Sequence, residues 1–296
     1  MKGCILVNAY LKGKEYLYQA ERIRDELIAL GAYADIVPLC GMPVAVTDGR
    51  IENALDGYDF YIYWDKDKYV LSALERAGKL VFNSARAIET CDDKMLTYIA
   101  LANSGVPLVK TVPGLLCFDP SAKIATETVE RLESLIPYPI VVKESYGSLG
   151  KGVRLAKNRD ELIAITEQVK CKPHLYQEFI EESRGRDLRV IVLGGKVLGG
   201  MLRDSGGNDF RSNIGAGGSG TARTPDEEQA AVAIKTAGIL GLDYCGVDLL
   251  LGKNGPIVCE VNSNAFFYSF ERVTGVNVAK AYARYVLGKT AGKSKR

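Results

Sequence analysis

Histidine is almost missing from this chain: the only one is His174, and no serine or cysteine near it sits in a recognisable nucleophile elbow. Triad hydrolysis therefore has no support. His174 follows Pro173 and precedes an apolar run, so the expectation is a surface or hinge-flanking residue, not a catalyst. Paired cysteine motifs are missing too. The seven cysteines (Cys4, Cys40, Cys91, Cys117, Cys171, Cys245, Cys259) are odd in number, scattered, mostly set in apolar runs, and form no CxxC. They read as buried thiols in a reducing compartment, neither disulfides nor a zinc site.

An excess of either charge is also lacking. Lys and Arg number 38 against 36 Asp and Glu, a formal net charge of +2, with no basic stripe suited to a phosphate backbone. Nucleic acid is not an expected partner. The opening MKGCILVNAYLKGKEY turns to charge after a short apolar run, too soon for a secretory core or a spanning helix. A cytoplasmic protein without a membrane partner is expected.

What is present is a long chain, 47% hydrophobic and 25% charged, too large for one ordinary core, so two or three packed units are expected. Up to about residue 90 apolar strand patterns (4–9, 33–39, 58–64, 80–83) alternate with helical ones (15–30, 71–77). That alternation predicts a small parallel α/β unit. From Cys91 the pattern changes to α+β with antiparallel pairing. It comprises a helix in DDKMLTYIALANSG, strands at 111–112, 139–145 and 174–180, helices at 129–135 and 160–169, and two strands in 187–202 around Gly194–Gly195. Residues 203–224 read as a glycine-rich functional loop. A helix (225–240), a hairpin of 244–251 with 256–262 around Lys253–Asn254–Gly255, a closing helix (277–287) and a frayed tail complete the chain.

Four segments carry chemistry. In the last hairpin Glu260 and Asn262 share a strand face while Val261 points to the core. If Asp248 pairs with Glu260, two carboxylates and an amide converge as hard oxygen ligands suited to Mg²⁺; the alternative is a polar solvent face. In KESYGSLGKGV (143–153), Lys143 precedes glycines that let backbone amides approach phosphate. It is neither a P-loop nor a dinucleotide fingerprint, and a plain hairpin loop fits equally. YQEFIE (176–181) offers backbone donors and acceptors for a base, or a bland edge strand. DFRSN (209–213), with Arg203 upstream, supplies guanidinium groups that clamp carboxylate or phosphoryl oxygens, or a solvated loop.

In this order, Lys94 in CDDKML, Lys143 with its glycine loop, QEFIE, DFRSN, GVD and EVN resemble the ATP-grasp superfamily. DFRSN and FERVTGVNVAKAYARYV (270–286) are similar to its RimK-like amino-acid (α-L-glutamate) ligase branch. The resemblance implies a parallel α/β pre-ATP-grasp domain (1–90), a central or lid subdomain (91–182), a C-terminal subdomain (183–290) with antiparallel sheets, and a flexible tail (291–296). It assigns ATP to Lys94, Lys143, Ser148, Gly150, Gly152, Gln177, Glu178, Phe179, Ile180, Asp187, Arg211, Ser212 and Asn213. Mg²⁺, with Mn²⁺ as a substitute, goes to Asp248, Glu260 and Asn262, and catalysis to Arg203, Arg211 and Asn213. After Asn262 many members continue Ser-Pro-Gly, whereas here Ser263-Asn264-Ala265-Phe266-Phe267 follows, so glutamate addition is not implied as firmly as ligation. The implied reaction joins a carboxylate to an amine through an acyl phosphate, the acceptor being a peptide, protein or small molecule. A homodimer or homotetramer goes with it. A small-molecule kinase on the same fold and a non-catalytic nucleotide-binding regulator are the alternatives.

Overall fold

The computed structural model describes residues 1–10, 13–148, 150–207, 209–212 and 218–293. The chain begins with β1 (Lys2–Val7), α1 (Lys14–Ala29), β2 (Tyr33–Pro38), the hairpin β3 (Val44–Thr47) and β4 (Arg50–Asn53), β5 (Phe60–Trp64), α2 (Lys68–Arg76) and β6 (Val81–Phe82). Four of these strands form a parallel sheet in the order β2-β1-β5-β6. Its central strands read as unbroken apolar runs because both faces are covered: every residue of β5 is buried. The helix α1 turns Ala20, Ile23 and Leu27 into that core. The β3–β4 hairpin was not legible, since its side chains are mostly exposed and carry no core-facing alternation.

Next come α3 (Ala85–Asp92) and α4 (Lys94–Leu101), each started by a side-chain cap, Ser84 on Ala87 and Asp93 on Met95 and Leu96. An antiparallel sheet of order β7-β10-β8-β9 follows. It is built from β7 (Thr111–Pro113), β8 (Ile140–Glu144), β9 (Val153–Ala156) and β10 (His174–Glu178), with α5 (Thr126–Leu135) and α6 (Arg159–Val169) interspersed. One face packs Ile140, Val142, Ala156 and Tyr176 against Val129, Leu132 and Leu162 of these helices. The alternate residues, Val141, Lys143, Val153 and Gln177, are left for the other face.

The remaining elements are β11 (Arg186–Leu193), β12 (Lys196–Asp204), β13 (Ser219–Ala222), α7 (Glu227–Ile239), β14 (Tyr244–Gly252), β15 (Gly255–Asn262), α8 (Tyr268–Thr274) and α9 (Val278–Lys293). The strands form a five-stranded sheet of order β13-β12-β11-β14-β15. One face buries Leu188, Val190, Val247 and Leu249 under Val232, Ala233 and Ala237 of α7. On the other face, Ile191, Met201 and Tyr244 join Phe267, Tyr282 and the N-terminal Ile5, Phe60 and Trp64 in one core. The Tyr244 and Tyr282 rings stack at 5.2 Å and 18°. Asn83, just after β6, locks the two regions together: its amide donates to the carbonyls of Tyr244 and Ser263 and accepts from the Tyr244 N–H. Each fully buried large side chain in this core contributes roughly 1.5–3 kcal/mol.

Several expectations are corrected. His174 is buried, its ring hydrogen-bonded to the Lys172 carbonyl at 2.8 Å and the Tyr176 hydroxyl at 3.0 Å, and burial lowers its pKa from 6.5. Cys40 and Cys171 are exposed, and Cys117 and Cys259 partly so, because the apolar runs that hold them end at loops or open onto a cleft. The glycine-rich segment 203–224 contains β13. The last helix runs on to Lys293 instead of fraying after Leu287, held in part by Thr290, which is buried and donates to the Val286 carbonyl. Residues 294–296 lie outside the described residues. Among the described residues no helix is long and apolar enough to cross a membrane.

Candidate active site

A cleft opens where the free face of the β7–β10 sheet meets the polar end of the five-stranded sheet. Val141, Lys143, Gln177, Glu178, Phe179 and Ile180 line it from one side, and Asp187, Arg203, Asp248, Leu250, Cys259 and Glu260 from the other. Gly150, Phe210, Arg211 and Ser212 reach in from loops. Segments 143–153, 176–181, 209–212 and the last hairpin therefore converge, although more than 100 residues of sequence separate the first from the last.

Strand register explains the polar end. Asp187 on β11 lies opposite Arg203 on β12, and Arg189 on β11 lies opposite Asp248 on β14. Residues 187 and 189 share a face, so the four groups form one ladder. Arg189 grips Asp248 with both fork nitrogens at 2.7 Å, and Arg203 reaches Asp187 at 2.6 Å and Asp248 at 2.8 Å. Ser212 adds a hydroxyl bond to Asp187. Burial opposes ionisation of Asp248, but the charges of Arg189 and Arg203 with their hydrogen bonds outweigh it and hold the carboxyl below the usual 3.8. At Asp187 burial wins: with the Asp248 charge it overrides Arg203 and raises the pKa. Arg189 is a member of this site that the sequence did not disclose. The cross-strand register that would have revealed it follows only from folding.

The other predicted residues fall into place as follows. Lys143 is buried, its ammonium 3.7 Å from the Cys259 sulfur. Burial pushes the Cys259 thiol up against the lowering effect of Lys143. Lys94 does not line the cleft; it donates to the Gly147 carbonyl at 2.9 Å and stands 3.7 Å from Glu260, tying the glycine loop to β15. Arg211 donates to the Gly150 carbonyl at 2.8 Å from the other side and is braced by Asp209. The Arg211 hydrogen bond keeps the Asp209 carboxyl below its ordinary value. Ser148 is not among the residues that line the cleft and accepts from Lys66 at 3.3 Å. Gly152, at φ +76°, packs against Glu144, where a Cβ would come within 3.1 Å. Gln177 donates to the Thr111 hydroxyl. Asn213 lies outside the described residues. An apolar slot of Val109, Val141, Val153, Phe179, Phe210 and Leu250 was largely missed. Its Phe179 and Phe210 rings meet edge to face at 6.2 Å.

The metal-ligand set can be tested on its donors. Asp248 pairs with Glu260 and Gly246 with Asn262 in the β14–β15 register, and the Asn262 amide nitrogen is 3.4 Å from Asp248 Oδ2. All three groups thus belong to one patch. Among the described residues no cluster of three or more His, Cys, Asp or Glu side chains could hold an ion by itself. A cation here would depend on two carboxylates, one amide oxygen and oxygens from a ligand, which is the arrangement Mg²⁺ favours beside a nucleotide. The arginines take up much of Asp248, but a carboxylate has about four lone-pair sites, and Oδ1 receives one of those arginine bonds. The donor set fits a hard divalent ion.

Fold and cleft together define an ATP-grasp architecture. The solved D-cycloserine synthetase DcsG matches this chain over 98% of its length and 100% of the synthetase, with a TM-score of 0.75 at 16% identity. The model of the RimK-like ATP-grasp domain matches residues 91–286, and the chain belongs to that family. It is 37% identical over 229 residues to the β-citrylglutamate synthase B of Danio rerio, covering 77% of this chain and 55% of that protein. This chain thus spans little more than half the length of that relative. With a probable α-L-glutamate ligase of Vibrio atlanticus it shares 32% identity over 291 residues, 94% of each protein.

Proposed function

We propose that this chain is an ATP- and Mg²⁺-dependent carbon–nitrogen ligase that joins a carboxylate to an amine and releases ADP and phosphate. The observation that supports it most is the pairing of Asp248 with Glu260 in the wall of a cleft that also gathers Lys143, Arg203 and Arg211. The apolar slot at Phe179 and Phe210 suits a planar base, with backbone groups of 178–180 for its edge. Lys143 and Arg211 suit its phosphates. Asp248, Glu260 and Asn262 would hold Mg²⁺, or Mn²⁺ in its place, and the ion would neutralise charge on phosphate oxygens.

The substrate carboxylate attacks the γ-phosphorus, giving an acyl phosphate and ADP. An amine then adds to the acyl carbon, loses a proton and expels phosphate, leaving an amide. Arg211 is the better placed arginine for the developing oxyanion, because its side chain is 36% exposed at the cleft loop, whereas that of Arg203 is 7% exposed and shared by two buried carboxylates. Arg203 acts instead by fixing Asp187 and Asp248. No side-chain nucleophile is required, in keeping with the lack of a triad; positioning and charge carry the catalysis.

The names of the relatives support an amino acid, glutamate among the candidates, as one of the two reactants. Division near residues 90 and 182, a cytoplasmic location and a homodimer or homotetramer belong to the same reading and rest on family likeness. The test is a panel of carboxylates and amines scored by amine-dependent ADP release, with mass detection of the amide. ADP release that ignores every amine, or phosphorylation of a hydroxyl acceptor, would overturn it.

A further inference from the structure

The chain that leaves β7 runs beside the chain that enters β10. In their antiparallel ladder Pro113 pairs with Leu175, and just past it the Gly114 N–H donates to the His174 carbonyl at 2.8 Å. Continued for three more residues, that register sets Cys117 opposite Cys171. The Cys117 N–H donates to the Lys170 carbonyl at 2.8 Å, so the two segments are still joined there. Neighbouring strands lie about 4.8 Å apart, inside the Cα separation of about 4.4–6.8 Å that a disulfide spans. The side chains meet as well, the Cys171 thiol donating a hydrogen bond to the Cys117 sulfur. Spacing along the chain hid the pair, because more than fifty residues separate the two cysteines.

Both thiols can be reached from solvent: Cys171 is exposed and Cys117 half-buried. Cys91 and Cys245 also lie within each other's electrostatic reach, but both are buried and closed to a reagent. Neither Cys117 nor Cys171 lines the cleft, so the pair stands apart from the ligase reading. Disulfides in reducing compartments are usually transient and redox-sensing.

We propose that Cys117 and Cys171 form a reversible disulfide by exchange with a small-molecule disulfide such as oxidised glutathione. The thiolate of the exposed Cys171 attacks one glutathione sulfur, the S–S bond breaks, and one glutathione thiolate leaves. Cys117, having lost its proton to solvent, attacks the Cys171 sulfur of the mixed disulfide and expels the second glutathione. Two protein thiols are oxidised, and one disulfide is reduced to two thiols. The new bond closes a loop that contains α5, β8, the glycine loop, β9 and α6. A cross-link restricts the unfolded chain, and more so for a long loop; the oxidised protein therefore resists unfolding better than the reduced one.

The experiment incubates the reduced full chain with oxidised glutathione without denaturant, followed by alkylation, digestion without reductant and mass spectrometry. The buffer is mildly alkaline, because desolvation and the neighbouring Cys117 hold the Cys171 thiol above 9.0 and the thiolate is the attacking form. The expected product is a peptide pair joined through Cys117 and Cys171, with no glutathione left on either. The oxidised chain should melt roughly 4 °C or more above the reduced one, and dithiothreitol should reverse the shift. Cys117→Ser and Cys171→Ser should each show no shift and yield no linked peptides. Thiols that stay free, stable glutathione adducts on both cysteines of the wild type, or a cross-link that forms only in denaturant would overturn the proposal. So would a linked chain that melts no higher than the reduced one, or an equal shift in the serine variants.

Discussion

Glu260 stands opposite Asp248 because Cys259 is an extra residue in β15. From the turn, Gly252 pairs with Gly255 and Leu249 with Val258; the register then slips by one, and Asp248 meets Glu260 where an unbroken ladder would have matched it with Cys259. The bulge leaves both Cys259 and Glu260 on the cleft side. Its carbonyl groups are satisfied from α4: the Tyr98 hydroxyl lies 3.0 Å from the carbonyls of both Val258 and Cys259.

Tyr98→Phe should therefore strike both the bulge and the site. Leaving buried carbonyls short of a donor costs about 1–3 kcal/mol, and a looser bulge lets Glu260 drift. Urea denaturation should report that loss together with reduced ATP turnover. Wild-type turnover at reduced stability would mean that the bulge holds without its phenol.

Glu260→Gln keeps the shape and removes one charge from the candidate metal patch. Thermal unfolding should stay near wild type, while ADP release falls on the order of 100-fold, the scale on which single preorganised groups act. Undiminished turnover would remove Glu260 from the metal set.

Arg203→Met takes the shared cation away from two buried aspartates. Breaking a buried pair in this way typically costs about 3–5 kcal/mol, and the urea midpoint should shift accordingly. A variant as stable as wild type would show that Arg189 alone suffices for the ladder.

The ladder also predicts an acid dependence. The folded Asp248 carboxyl titrates below its unfolded value of 3.8, so its contribution is fully present above about pH 4 and is lost as pH falls through the lower folded value. The stability gap between wild type and Asp248→Asn should shrink on acidification from about pH 5 to pH 2. Asp187, raised by burial, has the opposite sign: it costs stability when ionised, and that cost is relieved as pH falls through its folded value. A gap for Asp248→Asn that widens in acid would contradict the assignment.

Lys143→Ala should weaken ATP binding roughly ten- to a hundredfold, the worth of one hydrogen bond to a charged group. Lys151→Ala should change it little, because Lys151 is exposed at the glycine loop whereas Lys143 is buried in the cleft wall. Calorimetric titration with ATP and Mg²⁺ compares the two, and equal losses would mean that the phosphate lysine is misassigned.

The local patterns in the chain were enough to determine most of its elements, the exposed β3–β4 hairpin and β13 being exceptions. Unbroken apolar runs such as FYIYW could only be strands covered on both sides, and glycines such as Gly147 and Gly150 marked a loop by the backbone freedom they bring. Period-two alternation likewise put Val261 in the core and Glu260 and Asn262 outward, since side-chain direction along a strand is a local property. Pairing is not local. Nothing in residues 186–203 says that Arg189 will meet Asp248, or that Arg203 will spend its charge on two aspartates, because a ladder partner is chosen by sheet order and a one-residue slip reverses every contact. The bulge at Cys259, the burial of His174 beneath Tyr176 and the turning of Ser148 toward Lys66 were decided in the same way, by what the folded neighbours left open.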